Sequence, residues 1–597
     1  MEKSHSQGSA IRRSAVIRAL ALCAILSLLF STFAIAQDVT VTLPGASALT
    51  GVFDGENLVI EERTVPAGYM QLFQAYDGSY RDPVVIIEGF DPTNNAFPSD
   101  LYAKLNTWGG LDIIRAAGKS VWIVNFGDGG GALTANAKLV SHAIQTAANW
   151  GGLSNAKVDV IGISMGGVIG RYALAYDEHH GGGSDGLVRL FISGDSPQQG
   201  ANGPPSLQKL ILFTEDPELA PLLGCDAALS MLYTSVRSYQ LNNCSAGALP
   251  SSTNWTGSSA AHDWFYSTLN SLNVDGYPKK SRNVAVANGN LTPRAQQVGD
   301  PIYQARTYLD MGFSRIRLCT ETYHAYAMDV APGSLGGDFA PGNIREPFVE
   351  LDEYFIATFI PTDSALDIRN GVSMFDRALY QNEQVDHGVI TLKTTDFLLE
   401  ESLGPERIYN PNYLPDGVNA TIYDWIVTAK FPGVFYAQSP DRLAGLCVVS
   451  WVSVEVDNIV TVRGIMSTVQ GERRLQASSV DIKPETSTLA PLGLPNRALG
   501  GGPLGYYVTG ITGATGLNNI GLLIRSWGEV THAGTGFFYI DDGSNLEDGS
   551  EHKGVRIETT GVVPNVGNVV QVTGISSCYL PGDGTTQRRI RARAEQD

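Results

Sequence analysis

The chain has 597 residues, about four times the usual size of one domain, so several domains are expected. Hydrophobic residues make up 43% of the sequence and charged residues only 17%, which excludes a chain that is disordered throughout. Asp and Glu number 60 against 41 Lys and Arg, a net charge of −19. This balance disfavours a protein devoted to nucleic acid, because phosphates demand a surplus of Lys and Arg.

The first residues have the pattern of an export signal. Arg12, Arg13 and Arg18 precede an apolar run over residues 19–35, and Ala34-Ile35-Ala36 matches a small-x-small cleavage site. Because the run is short for a membrane anchor, we predict a cleaved signal peptide over residues 1–36 and a secreted or periplasmic protein.

The sequence after the signal peptide predicts a disulfide and no membrane span. An oxidising compartment permits disulfides, and Cys225 with Cys244 is the predicted pair because the two lie 19 residues apart in one segment. No later stretch of sequence is long and apolar enough to predict a stable membrane span.

Residues 37–403 alternate strand-like runs with helical patterns, which predicts an α/β domain. Asp38–Leu43 and Leu58–Arg63 are predicted to form an opening hairpin. Continuous β-branched runs, typical of strands buried on both faces of a parallel sheet, follow at residues 84–87, 121–124 and 158–161. Helices predicted over 101–117 and 135–150 supply the crossovers between these strands. Residues 204–281 interrupt the alternation with amphipathic helical material at 207–212 and 219–241, which predicts a lid or cap insertion.

After residue 403 only short β-type runs appear, separated by Gly, Pro, Asn and Asp. A Pro-rich stretch at 404–420 is the predicted linker, followed by β modules at 421–490 and 518–597. Three sequence blocks recur in the same order, at offsets of 103, 110 and 115 residues: 433–436 with 536–539, 458–465 with 568–575, and 473–475 with 588–590. The two modules are therefore predicted to be copies of one fold, separable from the first domain.

The order of aromatic, apolar and Gly-flanked strands in each copy resembles the OB-fold, a five-stranded Greek-key barrel. Many such barrels bind single-stranded nucleic acid through aromatic side chains and a basic groove. Residues 421–597 hold 17 Asp and Glu against 14 Lys and Arg, so no nucleic-acid partner is expected. The repeated aromatics are predicted to lie in the barrel cores, and the basic strand at 588–593 to be a solvated face.

One sequence motif, around Ser164, indicates a catalytic nucleophile. Lys157–Ile161 is a predicted strand, Gly162-Ile163-Ser164-Met165-Gly166-Gly167 a turn, and Val168–Tyr176 a helix. G-x-S-x-G between a buried strand and a helix is the nucleophile elbow, in which small residues let the backbones approach while the serine hydroxyl projects. Together with Phe191–Ala201, a following strand and Pro-x-x-Gly turn, this stretch resembles the lipase and esterase branch of the α/β-hydrolase superfamily, over residues 80–400.

The resemblance implies an oxyanion hole built from two backbone N–H groups. Met165, after the nucleophile, supplies the first, and Phe90, in the loop after an earlier strand, supplies the second. Glu88 stands where lipases usually have His, a departure that leaves the backbone donor intact. The alternative, that Glu88 and Asp91 form a carboxylate pair for metal or glycoside chemistry, lacks a partner cluster.

The resemblance also implies that an acid and then a histidine follow the serine along the chain. His387 is the preferred base over His324, because it lies in a loop just before a predicted helix at 394–402. Asp367, twenty residues ahead of His387, is the preferred acid. Asp363, Asp376 and Asp329 remain open for the same role.

These residues predict a secreted serine hydrolase that cleaves carboxylic esters, as a lipase or carboxylesterase does, by a Ser164–Asp367–His387 triad without metal or cofactor. Its expected partners are an ester or lipid substrate and, through the barrels, an insoluble polymer or surface. The same triad also serves polyester depolymerases, amidases and acyltransferases. A different class of protein, a secreted binding protein with an inactive hydrolase scaffold, is the competing hypothesis.

Overall fold

The structure is a computed structural model. It describes residues 39–53, 58–203, 208, 223–232, 242–243, 260–289, 301–310, 315–323, 359–381, 385, 387–404, 410–504, 507–514, 516–581 and 584–593. The predicted signal peptide, most of residues 204–259, Cys244, His324 and Asp329 lie outside these ranges, so the Cys225–Cys244 pairing stays a prediction. Contacts divide the chain into a unit at Met1–Thr40 and a second at Val41–Asp597, and the second unit is described below.

The first domain is built around an eight-stranded sheet. Its strands lie in the order β1-β4-β6-β5-β7-β8-β10-β15. Their bounds are β1 Val39–Leu43, β4 Gly68–Phe73, β5 Val84–Ile87, β6 Val121–Asn125, β7 Val158–Ile163, β8 Val188–Gly194, β10 Arg282–Ala287 and β15 Arg377–Tyr380. The strands from β6 to β15 pair in parallel, and β4 pairs antiparallel with β6. The fully buried central strands confirm the mostly parallel sheet that their β-branched runs predict.

The described part of this domain also contains helices. Their bounds are α1 Pro98–Leu105, α2 Gly110–Ala116, α3 Leu133–Ala148, α4 Met165–His180, α5 Asp226–Met231, α6 Ala260–Ser271, α7 Thr362–Ala365 and α8 Leu392–Leu403. The single helix predicted over 101–117 is two helices, α1 and α2. The break falls at Gly109, whose φ of +74° lies in the left-handed region that favours glycine. Helices α5 and α6 lie within the predicted insertion. None of the helices in the described part of the chain is long and apolar enough to cross a membrane.

The opening hairpin differs from its prediction. The strand β3, Leu58–Val65, pairs with β2, Ala46–Phe53, rather than with Val39–Leu43. Only four residues separate β2 from β3 along the chain, and strands so close in sequence commonly pair with each other. Three further strands, β9 Asn242–Asn243, β11 Pro301–Asp310 and β12 Arg315–Tyr323, form a separate antiparallel sheet. A further short pair joins β13 Ile368–Arg369 to β14 Val372–Ser373.

Two β-barrels follow, with the same topology. Neighbouring strands of the first barrel lie in the order β16-β17-β18-β20-β19, and those of the second in the order β22-β23-β24-β26-β25. The two end strands of each order also pair with each other, β16 with β19 and β22 with β25. The bounds are β16 Asn419–Phe431, β17 Val434–Gln438, β18 Gly445–Val449, β19 Asn458–Val469, β20 Glu472–Thr486, β21 Leu492–Gly493, β22 Leu523–Gly534, β23 Phe537–Asp541, β24 Val555–Glu558, β25 Val569–Tyr579 and β26 Gln587–Ala592. The third and fifth strands along the chain pair in parallel in both barrels, β18 with β20 and β24 with β26, as in an OB-like Greek key. Each repeated sequence block falls on the corresponding strand of its barrel.

The barrels are joined by buried polar contacts. The Leu523 N–H donates to Gln438 Oε1 at 2.8 Å across the junction. Buried Glu472 of the first barrel accepts from Ser577 Oγ of the second at 2.6 Å, and from Tyr436 Oη at 2.8 Å. Buried carboxylates are costly unless hydrogen-bonded, so these contacts fix the two barrels against each other.

The basic strand of the second barrel is not the solvated face that its sequence predicts. Its arginines are 588, 589, 591 and 593, and the first two are buried. Arg589 pairs with Glu558 at 3.1 Å. The Arg591 guanidinium lies 4.0 Å from the centre of the Phe431 ring in the first barrel. Arg589 is therefore paired inside the second barrel and Arg591 packs against the first, so neither side chain lines a free groove.

The first barrel shares a core with the first domain. Leu111 and Phe397 of the domain belong to one buried cluster with Leu414, Ile422 and Trp425. Polar contacts reinforce the junction, because Asp396 of α8 accepts from Tyr423 Oη at 2.6 Å and pairs with Arg463 at 2.9 Å. The first domain and the first barrel are therefore continuous in packing.

We expect a chain that ends at Asn412 to lose soluble, cooperatively folded protein, because it uncovers the apolar surface that Ile422 and Trp425 bury. This differs from the separable modules that the linker composition predicts. A chain ending at Thr488 keeps this junction and loses only the contacts between the two barrels, so the difference between the two truncated chains measures the junction. Thermal unfolding and size-exclusion chromatography of both chains test this, and a cooperative monomer ending at Asn412 would show that the junction is dispensable.

Candidate active site

Ser164 lies in a sharp turn between β7 and α4. Its backbone has φ +52° and ψ −124°, a strained conformation for a residue with a side chain. The turn is held at both sides, since Ser164 N–H donates to Gly194 O at 2.9 Å and Gly167 N–H donates to Ser164 O at 3.0 Å. The predicted strand, turn and helix are therefore all present.

The small residues of the motif are required by close backbone contacts. A Cβ on Gly162 would lie 2.4 Å from Gly166 O, and a Cβ on Gly166 would lie 2.5 Å from Ile87 O. Real Cβ atoms do not approach backbone oxygens so closely, so both positions need glycine. The flanking glycines thus let the start of α4 pack directly against the ends of β5 and β7.

His387 reaches the serine from the loop that precedes α8. Its Nε2 lies 2.8 Å from Ser164 Oγ, and its Nδ1 lies 2.6 Å from Asp195 Oδ2. A carboxylate only accepts hydrogen bonds, so Nδ1 carries the proton, and Nε2 is left to accept from the serine hydroxyl. The Phe359 ring packs edge-on against His387 at a centroid distance of 5.1 Å.

The acid at this histidine is Asp195, so the choice of Asp367 is wrong. Asp195 follows β8 directly and is buried, and its other oxygen accepts from the Asn288 N–H at 2.9 Å. The Asn288 side chain also donates to Val389 O at 3.1 Å, next to the histidine loop. Asn288, which the sequence did not single out, therefore connects Asp195 to the loop that carries His387.

Asp367 belongs to a separate buried network. Its carboxylate pairs with Arg171 at 3.0 Å and Arg369 at 2.7 Å, and accepts from Tyr277 Oη at 2.8 Å and Gln199 Nε2 at 2.9 Å. Burial alone would raise the pKa of Asp367, but Arg171 and the hydrogen bonds outweigh it and hold that pKa below its ordinary value. With every oxygen engaged, Asp367 stabilises the fold instead of orienting His387.

Neither of the two other described candidates is the carboxylate at His387 Nδ1, which is that of Asp195. Asp376 accepts from the Asn283 N–H at 2.8 Å, near the beginning of β10. Asp363 lies in the first turn of α7, and burial raises its pKa.

We expect Asp367→Asn to lower the free energy of unfolding by about 3–5 kcal/mol, because it leaves the fully buried Arg171 charge without its partner. The lowered pKa fixes the sign of the pH dependence. The stability that this carboxylate contributes is complete above the ordinary carboxyl pKa and is lost as the pH falls through the lower folded value. Denaturant unfolding of both proteins at neutral and acidic pH measures this. A variant as stable as the wild type at neutral pH would contradict it.

Both expected oxyanion residues border Ser164. Met165 is the first residue of α4, where backbone N–H groups have no partner within the helix and the helix dipole is positive. A Cβ on Gly89 would lie 3.3 Å from Ser164 Cβ, so the turn that carries Phe90 lies against the serine. Their roles as donors to an oxyanion remain a prediction.

Ser164, Asp195, Asn288 and His387 follow four successive strands of the parallel part of the sheet, and they occur in that order along the chain. Ser164 follows β7, Asp195 follows β8, Asn288 follows β10 and His387 follows β15. The fold is that of an α/β-hydrolase. Ligand sites of open α/β sheets lie at this carboxyl edge, where the ends of adjacent parallel strands meet.

No protein-family model and no curated protein match the chain. Among solved structures, a hyperthermophilic esterase from the archaeon Pyrobaculum calidifontis is 11% identical over 46% of this chain and 72% of its own, with a TM-score of 0.24. Esterase B from Lactobacillus rhamnosis is 10% identical over 47% and 76% of the two chains, with a TM-score of 0.23. Est1E from Butyrivibrio proteoclasticus is 12% identical over 25% of this chain, with a TM-score of 0.17, and this chain spans about half of its length, 51%. The α/β-hydrolase fold of this chain is established by its own topology.

Other polar residues of this edge are engaged in loop contacts. Glu88 accepts from Asn125 Nδ2 at 2.8 Å, while Asp91 accepts from the Ala96 N–H at 2.8 Å. Among the described residues, no three His, Cys, Asp or Glu side chains form a group that could hold a metal ion.

Proposed function

We propose that the protein is a serine hydrolase that cleaves carboxylic esters through an acyl-enzyme. The observation that carries this proposal is the continuous hydrogen-bonded chain from Ser164 Oγ through His387 to Asp195. An alcohol is a weak nucleophile unless a positioned base removes its proton, and His387 Nε2 is within reach of that proton.

In the first half of the reaction, Ser164 Oγ attacks the ester carbonyl carbon while its proton passes to His387 Nε2. Asp195 stabilises the imidazolium that forms and keeps its ring orientation. The N–H groups of Met165 and Phe90 donate hydrogen bonds to the negatively charged oxygen of the tetrahedral intermediate. His387 then gives the proton to the departing alcohol, which leaves an acyl-enzyme on Ser164.

In the second half, a water gives its proton to His387 and attacks the acyl carbon. Collapse of the second tetrahedral intermediate releases the carboxylic acid and returns the proton from His387 to Ser164. The bound Asn288 N–H keeps one Asp195 oxygen occupied, so the other oxygen faces His387 throughout.

We further propose that the protein acts outside the cytoplasm, as its signal-peptide pattern predicts, and that the barrels hold it at an extended or insoluble substrate. Exposed apolar side chains at the loop tips of the first barrel support the second idea, since Trp451 is 90% and Leu443 is 71% exposed. Attachment would raise the effective concentration of ester without changing the chemistry.

We expect the purified protein to release nitrophenol from nitrophenyl esters, and His387→Ala to remove this activity because no base is left beside Ser164. The control is His142→Ala, which alters an exposed histidine of α3. Initial rates over a panel of acyl-chain lengths measure the activity. Equal rates for His387→Ala and the wild type would overturn the proposed function.

A further inference from the structure

Glu88 lies one residue before the turn that borders the nucleophile. It follows β5 directly and precedes Gly89, where a Cβ would be 3.8 Å from Ser164 Oγ. Phe90, whose N–H is the second expected oxyanion donor, follows Gly89 directly. Any shift of the backbone at Glu88 would therefore move the expected oxyanion donor relative to the serine.

The buried Glu88 side chain joins the ends of two strands. Its Oε2 accepts from Asn125 Nδ2 at 2.8 Å, and its Oε1 accepts from the Phe126 N–H. Asn125 ends β6, the parallel neighbour of β5, and its Nδ2 also donates to Ala96 O at 3.0 Å. We call residues 88–97, which follow β5 and include Phe90, the oxyanion loop. Glu88 and Asn125 thus connect this loop to β6 at two points along its length.

The Glu88 backbone is packed against the helix that begins at the nucleophile. A Cβ on Gly166, in the first turn of α4, would lie 2.3 Å from Glu88 O. One residue therefore contacts α4 through its carbonyl and β6 through its carboxylate. The position of Glu88 therefore sets the position of the oxyanion loop relative to α4 and β6.

The hydrogen bonds of Glu88 suit an ionised carboxylate, because both partners are donors and a neutral acid would place its own proton against one of them. Burial raises the pKa of Glu88 to about 8, and the Asp91 charge adds to the rise, against the opposing hydrogen bonds from Phe126 and Asn125. Tyr69 of β4 is also coupled electrostatically to it. No ion pair to Glu88 forms within the part of the chain that the structure describes.

We propose that Glu88 is a positioning residue for the oxyanion hole: its ionised carboxylate fixes the Gly89–Phe90 turn against the end of β6, and efficient hydrolysis needs that ionised form. The inference rests on the proposed ester hydrolysis. It assigns a role to the position where the sequence departs from the His of related lipases.

The inference predicts a second limb in the pH profile, beside the limb that belongs to His387. Because the ionised form is the competent one, kcat should rise with pH through about 8 in the wild type. KM should change little over the same range, since the oxyanion contacts strengthen mainly in the transition state.

The first test is Glu88→Gln, whose amide can accept only one of the two hydrogen bonds. We expect kcat to fall by about 10-fold to 100-fold with KM nearly unchanged, less than the ~10²–10³ lost when an oxyanion donor is removed outright. The limb near pH 8 should disappear, because the side chain no longer titrates. The matched control is Glu62→Gln, an exposed strand residue of β3, which should keep the wild-type profile.

The second test is Asn125→Ala, which keeps the titrating group but removes one of its two donors. We expect the upper limb to move to higher pH, since the ionised form has lost a stabilising hydrogen bond. A purely structural role for Asn125 would lower activity without moving the limb.

A wild-type profile with no limb near pH 8, or a limb that neither variant moves, would overturn the inference while leaving the proposed hydrolysis intact. Absence of any hydrolysis that depends on Ser164 would overturn the proposed function, and this inference with it. The two failures are distinguished in one set of kcat measurements from pH 5 to 10.

Discussion

Replacing Ser164 by Ala should lower kcat for ester hydrolysis by about 10⁶-fold, the scale of loss when the nucleophile of a serine hydrolase is removed. In the proposed reaction the Oγ atom forms the covalent bond to the acyl group, and among the residues that the structure describes it is the hydroxyl hydrogen-bonded to His387 Nε2, at 2.8 Å. The backbone strain at Ser164 is a property of the turn and persists with Ala, so the fold should be retained. Initial rates with a nitrophenyl ester, beside circular dichroism, measure both effects.

The matched control is Ser154→Ala, which alters an exposed serine ahead of β7. It should hydrolyse the ester at the wild-type rate. A Ser164→Ala protein that retains the wild-type rate would show that the hydrolysis occurs elsewhere on the molecule.

Replacing Asp195 by Asn should lower kcat by about 10⁴-fold with the fold intact. An amide at this position offers no negative charge to the imidazolium, and it permits the wrong tautomer of His387. The variant Asp367→Asn distinguishes the roles of the two buried acids. In the wild type the Asp367 carboxylate contacts Arg171 and Arg369, whereas the carboxylate that contacts His387 is that of Asp195. We expect Asp367→Asn to lose stability while its folded fraction keeps a rate within about tenfold of the wild type.

Rates corrected for the folded fraction of each variant measure this contrast. If Asp367→Asn were the variant with the catalytic loss and Asp195→Asn were active, the acid of the triad would be misassigned.

The parts of the site that the sequence predicts are those formed by local contacts. Ser164 is recognisable because the strand, the glycines and the helix that shape its turn lie within about twenty neighbouring residues. His387 is recognisable from its position in a loop near the end of the domain. Neither prediction needed a contact between distant parts of the chain.

The acid depends on distant contacts, and for that reason the sequence did not identify it. Asp195 and Asp367 are both buried aspartates, and what separates them is the identity of their partners. Asp367 meets Arg171, which lies 196 residues away in the chain, while Asp195 meets His387 at a separation of 192. One signal was available, since Asp195 follows the strand next to that of the nucleophile, and the ends of adjacent parallel strands meet at one edge.

The barrels show the same division between local and distant information. Their topology follows from a repeat that is visible in the sequence, and the structure confirms that each block occupies the same strand. Their attachment depends on side chains such as Glu472 and Trp425, whose partners lie in other modules. Composition identified a Pro-rich boundary at residues 404–420, but it carried no information about the packing across it.

The most direct test of the account is to treat the purified full-length protein with a fluorophosphonate and locate the adduct by peptide mass spectrometry. A phosphonate reacts with a serine hydroxyl only where a base activates it, so the label reports the nucleophile without any assumption about the natural ester. We expect one adduct, on Ser164, that is lost in His387→Ala and retained in His142→Ala. An unlabelled Ser164 in folded protein, or a label on Ser164 that persists in His387→Ala, would contradict it.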